Sequence, residues 1–93
     1  MDTQSIIVTR KLGKQPLAVV TGGSHRAGRM ITLELARLGY AILIHYNKAI
    51  IQAETLKNTI FDNGGWADVV QADLKQAFQI DQLLQKVDQI GRP

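Results

Sequence analysis

Hydrophobic residues alternate along this chain between two spacings, and each spacing predicts one kind of element. Short runs of consecutive apolar residues are typical of strands buried on both faces. Such runs occupy Leu17–Val20 and, almost without interruption, Tyr40–Tyr46, and Trp66–Gln71 is predicted as a third, shorter strand. Apolar residues three and four positions apart predict helices with one buried face. These stripes follow the strands, over about 27–38, 49–62 and 76–90. The last contains Ala77, Ile80, Leu84 and Val87, with Leu83 offset.

The order β-α-β-α-β-α predicts parallel strands joined by right-handed crossovers, with the sheet order third, second, first. The fold class is therefore α/β: a Rossmann-type three-layer αβα arrangement with a parallel sheet, of which the first half is present. The chain ends where a complete sheet would begin its fourth strand, so residues 16–93 are expected to form a truncated domain. The bare edge of the first strand then predicts marginal stability or self-association.

Residues 1–15 are predicted to be a polar leader outside this domain. The segment Ser5–Thr9 has enough β-branched residues to pair as an edge strand. Disorder, or an extension that packs on a partner, is the favoured expectation for the leader.

Composition mainly excludes classes of protein. The 93 residues suffice for one small domain, and a content of 45% hydrophobic and 20% charged residues is that of a globular chain. Cysteine is absent, and His25 and His45 alone do not make a zinc site. The net charge of +3 comes from scattered lysines and arginines, which argues against a nucleic-acid surface. Without a signal-peptide or membrane-spanning pattern, a soluble cytoplasmic protein with no membrane partner is expected.

The junction between the first strand and the first helix carries the candidate chemistry. The strand breaks at Thr21–Gly23, and Ser24 is a candidate N-cap of the helix that follows. Glycine allows a sharp turn, and a helix N-terminus directs backbone N–H groups and a positive dipole at one point. Such a junction is suited to bind a phosphate. A glycine-rich turn also serves tight packing without a ligand, and that alternative stays open.

The second strand lacks a carboxylate at its end. A site for NAD(H) has an acid there to hold the ribose 2′-hydroxyl, whereas this chain has Tyr46–Lys48. Lys48, Arg26 and His25 are suited to attract a 2′-phosphate, so NADP(H) is favoured over NAD(H). Alternatively, these cations are ordinary surface residues. Asp73 follows the third strand at the same sheet edge, where it is either a ligand-binding carboxylate or a turn residue before the third helix.

These segments together resemble a known family. Thr21–Gly28 is similar to the Thr-Gly-x-x-x-Gly-x-Gly motif of the short-chain dehydrogenase/reductase family, and Ala72–Leu74 resembles its Asp-Leu pair. Ile90–Pro93 resembles the segment before its fourth strand. One departure is Arg26, which stands where most members have the middle glycine. This arginine, with the basic residue before it and His45-Tyr46, is similar to the NADPH-dependent pteridine reductase branch.

The resemblance implies cofactor-binding roles but no catalytic residue in this chain. The family's catalytic Ser and Tyr-x-x-x-Lys pair lie beyond the equivalent of residue 93, and Tyr40 and Tyr46 are followed four residues later by isoleucine. The implied positions are Gly22 and Gly28 for the turn and helix packing, Ser24, His25, Arg26 and Ala27 for the phosphates, Tyr46, Asn47 and Lys48 for the ribose and its 2′-phosphate, and Asp73 and Leu74 for the adenine.

Three functional hypotheses follow. The first is the N-terminal, cofactor-binding part of an NADPH-dependent oxidoreductase, whose full-length parent reduces a carbonyl or a pterin-like C=N bond of a small molecule. The second is a truncated product, or a module that binds NADP(H) without chemistry. The third is an interaction domain whose sheet edge pairs with another chain.

Overall fold

The structure, a computed structural model, describes residues 7–12, 15–22 and 26–90. Within these ranges the chain forms four strands and three helices. The strands are β1 (Ile7–Leu12), β2 (Gln15–Thr21), β3 (Ala41–Tyr46) and β4 (Ala67–Gln71), and the helices are α1 (Arg26–Arg37), α2 (Ile50–Asp62) and α3 (Ala77–Ile90). None of the described helices is both long and apolar enough to span a membrane.

The sheet has the order β1-β2-β3-β4. Strand β3 pairs in parallel with both β2 and β4. The three predicted strands therefore lie in the order third, second, first, as expected. The α/β fold class and the parallel arrangement are confirmed, because each of these strands is followed by a helix that returns the chain to the same end of the sheet.

Helices cover both faces of the sheet, which makes the three layers. Alternate residues along a strand point to opposite faces, so the apolar strands supply two separate clusters. The cluster beside α2 contains Ala18, Val20, Ile42, Ile44, Ala53, Leu56, Ile60 and Ala67, with Leu33, Leu35 and Ala36 of α1 packed against it. The cluster beside α3 contains Leu17, Val19, Ala41, Leu43, Ala72, Leu83 and Val87.

Helix α3 presents a different face to the sheet than the predicted stripe. The stripe placed Ile80, Leu84 and Val87 in the core, with Leu83 offset. In the structure Leu83 and Val87 are buried, whereas Ile80 is 38% and Leu84 is 56% exposed. Apolar residues occupy two neighbouring rows of α3, and only packing against the sheet selects the Leu83–Val87 row.

Strand β1 corrects the prediction for the leader. Residues 7–12 pair antiparallel with β2, from Ile7 opposite Val20 to Leu12 opposite Gln15. The favoured expectation of disorder is therefore wrong for these residues, and the edge-strand alternative is confirmed for 7–9; Ser5 and Ile6 lie outside the described residues. The unpaired backbone groups of β2 provide the physical reason, because pairing satisfies them. The edge of β2, on which the expected self-association rested, is covered by β1.

Candidate functional site at the carboxyl edge of the sheet

The parallel register brings the ends of three strands to one edge. Thr21 of β2 lies opposite His45 of β3, and Tyr46 of β3 lies opposite Gln71 of β4. Tyr46 is the last residue of β3. The other predicted site residues at this edge lie shortly after a strand: Gly22, Asn47, Lys48, Asp73 and Leu74. In open parallel sheets this carboxyl edge is where ligands bind.

The glycine turn after β2 has the conformation that requires glycine. Gly22 has a φ of 64°, in the left-handed region that side chains disfavour. Helix α1 begins at Arg26, with Arg26 and Ala27 exposed and Gly28 buried. The buried Thr32 hydroxyl donates to the Gly28 carbonyl over 2.7 Å. This bond lies within α1, and both of its residues are on the buried side of the helix.

Two of the predicted phosphate-binding residues, Ser24 and His25, lie outside the described residues. Their roles stay predictions. The position of Arg26 at the start of α1 is compatible with the role that the family resemblance implies for it.

His45 connects two of the loops, a feature that the sequence analysis missed. Its side chain is 5% exposed. The Gly22 backbone N–H donates to Nδ1 over 3.3 Å, and Nε2 lies 2.8 Å from the Ala72 carbonyl oxygen. The available signal was a polar residue in an otherwise apolar strand, because a buried polar side chain needs hydrogen-bond partners.

The loop after β3 is held by Gln71, which the sequence analysis also did not single out. The Gln71 side-chain amide donates to the backbone oxygen of Asn47 over 3.0 Å and to its Oδ1 over 3.3 Å. Asn47 and Lys48 are exposed, while Tyr46 is half-buried and packs against the cluster beside α2. The loop is therefore tied to β4 and presents the Lys48 ammonium to solvent.

Asp73 has a turn role in the structure. Its Oδ1 accepts the backbone N–H of Lys75 over 3.0 Å, and its own N–H donates to Gln79 Oε1 over 2.6 Å. The alternative of a turn residue is thus observed. The turn hydrogen bond uses Oδ1 of the Asp73 carboxylate. A contact between Asp73 and an adenine stays a prediction. Leu74 is half-buried against the cluster beside α3.

Electrostatics at this edge favour an anion. None of the three helices has an acidic residue in its first turn, and their N-termini carry the positive ends of the helix dipoles. Arg26 and Lys48 are exposed there. Near the far end of α1, a hydrogen bond from Arg37 lowers the pKa of Glu34. Both side chains are exposed, so this pair contributes little to stability.

A groove of about 610 Å³ lies at the opposite edge of the sheet. The C-terminal ends of α1 and α2 form it, through residues that include Ala36, Tyr40 and Asn63. None of the predicted site residues that the structure describes lines this groove, so it is separate from the candidate site.

Comparison with known proteins identifies relatives of the chain. No protein-family model matches it. It is 36% identical over 77 residues to the Escherichia coli (strain K12) protein named "Uncharacterized oxidoreductase YgfF". The matched region covers 83% of this chain and 31% of that protein.

Two solved structures share the fold and contain NADP. FolM alternative dihydrofolate reductase 1 from Brucella canis, complexed with NADP, has a TM-score of 0.64 and 42% identity over 72% of this chain and 27% of its own. A short chain dehydrogenase from Burkholderia cenocepacia J2315, in complex with NADP, has a TM-score of 0.76 and 27% identity over 88% of this chain and 33% of its own.

The chain is similar to members of the short-chain dehydrogenase/reductase family, and it matches part of each of these relatives. It spans roughly a third of the length of these relatives.

Proposed function

We propose that this chain is the cofactor-binding part of an NADP(H)-dependent oxidoreductase and that it binds NADP(H) at the carboxyl edge of the sheet. The observation that carries this proposal is the arrangement of Gly22, the start of α1 and the exposed Lys48 along one edge. The NADP found in the related structures supports the same assignment.

The residues of the edge fit this cofactor. The left-handed Gly22 lets the chain turn sharply towards α1, whose first backbone N–H groups are suited to a pyrophosphate. Ser24, His25, Arg26 and Ala27 are proposed to line the phosphates. Once bound, NADP(H) would exchange a hydride with a substrate.

The other end of the cofactor is assigned to the loops after β3 and β4. Tyr46, Asn47 and Lys48 are proposed to hold the adenosine ribose and its 2′-phosphate, since no acid follows β3 before Glu54. Asp73 and Leu74 are proposed to contact the adenine. Gln71 keeps the Asn47 loop against β4 and thereby supports this arrangement.

For a full-length parent we propose reduction of a carbonyl or a pterin-like C=N bond in a small molecule. The relative whose structure is described as an alternative dihydrofolate reductase, at 42% identity, supports the pterin-like class. A 35% identical relative named as a 3-oxoacyl-[acyl-carrier-protein] reductase supports the carbonyl class. The cytoplasmic location expected from the sequence stays a prediction. The self-association expected from an uncovered first strand loses its basis, because β1 pairs with that edge of β2.

Selectivity for the 2′-phosphate tests the binding proposal. NADPH is expected to bind more tightly than NADH, and Lys48→Ala or Arg26→Ala should weaken NADPH by about 1–3 kcal/mol, the loss of a charge-assisted contact. The NADH affinity of the Lys48 variant should hardly change, because NADH lacks the 2′-phosphate to which Lys48 is assigned. Calorimetric titration of each variant with both cofactors measures this difference.

Arg37→Ala is the matched control, because it removes one positive charge from an exposed residue near the other end of α1. Its NADPH affinity should equal that of the wild type. Equal affinity of the unmutated chain for NADPH and NADH would contradict the proposed selectivity.

A second candidate function is cofactor binding without chemistry. Neither Tyr40 nor Tyr46 begins a Tyr-x-x-x-Lys pair, so the 93 residues lack the pair that, by the family resemblance, supplies the proton for carbonyl reduction. We expect no NADPH oxidation above background when these residues are incubated with carbonyls and pterins. Turnover under these conditions, measured by NADPH absorbance, would show that the chain carries its own acid–base group.

A further inference from the structure

His45 makes two hydrogen bonds that join separate loops of the candidate site. Its ring is buried on β3, the strand between β2 and β4. Nδ1 lies 3.3 Å from the Gly22 nitrogen, in the turn after β2. Nε2 lies 2.8 Å from the Ala72 oxygen, directly after β4. One side chain therefore spans the sheet edge from the glycine turn to the residue before Asp73.

The partners determine the form of the ring. A backbone N–H only donates and a carbonyl oxygen only accepts, so Nδ1 accepts from Gly22 and Nε2–H donates to Ala72. These two bonds require a neutral imidazole with its proton on Nε2. Both ring nitrogens are then satisfied, as a buried polar side chain requires.

We propose, on the basis of the proposed function, that His45 is a positioning residue for NADP(H). Its imidazole sets the distance between the phosphate-binding turn and the adenine-binding segment at Ala72–Asp73. The Gly22 N–H is directed towards the ring and is thereby taken from the set of amides offered to the phosphates. Gly22 instead anchors the turn from which the following residues reach the cofactor.

Hydrogen bonding inside the adjacent segment makes this anchoring effective. Asp73 is held by its bonds to Lys75 and Gln79, so a bond to the preceding carbonyl of Ala72 fixes the position of a locally rigid turn. Loss of the ring would remove the direct link between the glycine turn and this segment, while Ala72 would remain bound to β3 through its N–H bond to the Tyr46 carbonyl. Cofactor affinity would fall, since ordering the two segments would then oppose binding.

Three variants separate the two contacts. His45→Asn places an amide oxygen near the position of Nδ1 and can still accept from Gly22, whereas His45→Gln places an amide nitrogen near Nε2 and can still donate to Ala72. His45→Leu removes both bonds at similar volume. We expect the Kd for NADP⁺ to rise about tenfold or more in the leucine variant, with the asparagine and glutamine variants in between.

Ile42→Val is the control for a general loss of stability. Ile42 is fully buried on the same strand, and its side chain lies in the cluster beside α2. Shortening it should lower the thermal midpoint without changing the Kd. All titrations are made well below the lowest midpoint, determined for each variant by circular dichroism.

A spectroscopic measurement on the wild-type chain tests the contacts directly. Nitrogen-15 spectra of the imidazole should show the neutral ring with its proton on Nε2, and the Gly22 amide should exchange slowly with solvent. Wild-type NADP⁺ affinity in the leucine variant, or another ring tautomer, or a rapidly exchanging Gly22 amide would each overturn the positioning role. If the wild-type chain does not bind NADP⁺ or NADPH, the proposed function fails, and the role of His45 towards that cofactor fails with it.

Discussion

Replacing Gly22 by valine is expected to weaken NADPH binding more than about tenfold, because a β-branched residue at a φ of 64° is strained by roughly 1–2 kcal/mol or more. The turn would relieve this strain by leaving the left-handed region. That movement breaks the bond from the Gly22 N–H to His45 and redirects the chain that leads into α1. Titration of the variant with NADPH measures the loss.

Gly39→Val provides a matched control for this substitution. Gly39 also has a positive φ, 99°, but it lies before β3 at the opposite edge of the sheet. A Cβ at this position would have no atom within 4 Å other than those of Gly39 and its two chain neighbours. Valine there should lower the thermal midpoint and leave the NADPH affinity unchanged. If both glycine variants bind NADPH as the wild type does, the turn after β2 does not form the phosphate site.

Deleting residues 1–12 is expected to convert the chain into a self-associating form. Strand β1 pairs with β2 at the six positions from Ile7 to Leu12. Its loss exposes the backbone groups of a strand whose central residues, Leu17–Val20, are at most 3% exposed. At roughly 0.5 kcal/mol net for each lost pairing, about 3 kcal/mol of stabilisation is removed. Pairing with another copy would recover part of it.

Sedimentation of the shortened chain over a range of concentrations tests this expectation. Deletion of residues 1–6 alone is the control, because it keeps all of β1. The control should sediment as the full chain does, while the longer deletion shifts to larger species. A longer deletion that remains monomeric and as stable as the full chain would show that β1 does not protect the edge of β2.

The local pattern was sufficient to predict the three parallel strands and their helices. Runs such as Leu17–Val20 have no polar residue to place on a solvated face, so they predict strands covered on both sides. The glycine turn was also predictable, because Gly22 separates a strand pattern from a helix pattern. The family resemblance added the assignment of Tyr46–Lys48 and Asp73 to a cofactor.

Other features depended on contacts between distant residues. The stripe containing Ile80 and Leu84 had the correct period, but α3 has two apolar rows and its rotation is decided by the sheet beneath it. The segment Ile7–Leu12 has three apolar residues, but Thr9–Lys11 interrupt them, so the pattern does not predict a buried strand. It becomes a strand because β2 offers it an unpaired edge.

By itself, the sequence determined the order of elements, the parallel sheet and the edge at which the candidate site lies, because strand and helix periodicity and glycine placement are local properties. Only the tertiary structure decided that β1 covers β2, that Gln71 holds the Asn47 loop and that His45 joins Gly22 to Ala72. Each of these contacts links residues from different strands or loops. Their partners are defined only once the strand register is formed, since the hydrogen bonds of a buried side chain depend on which backbone atoms the fold brings within reach.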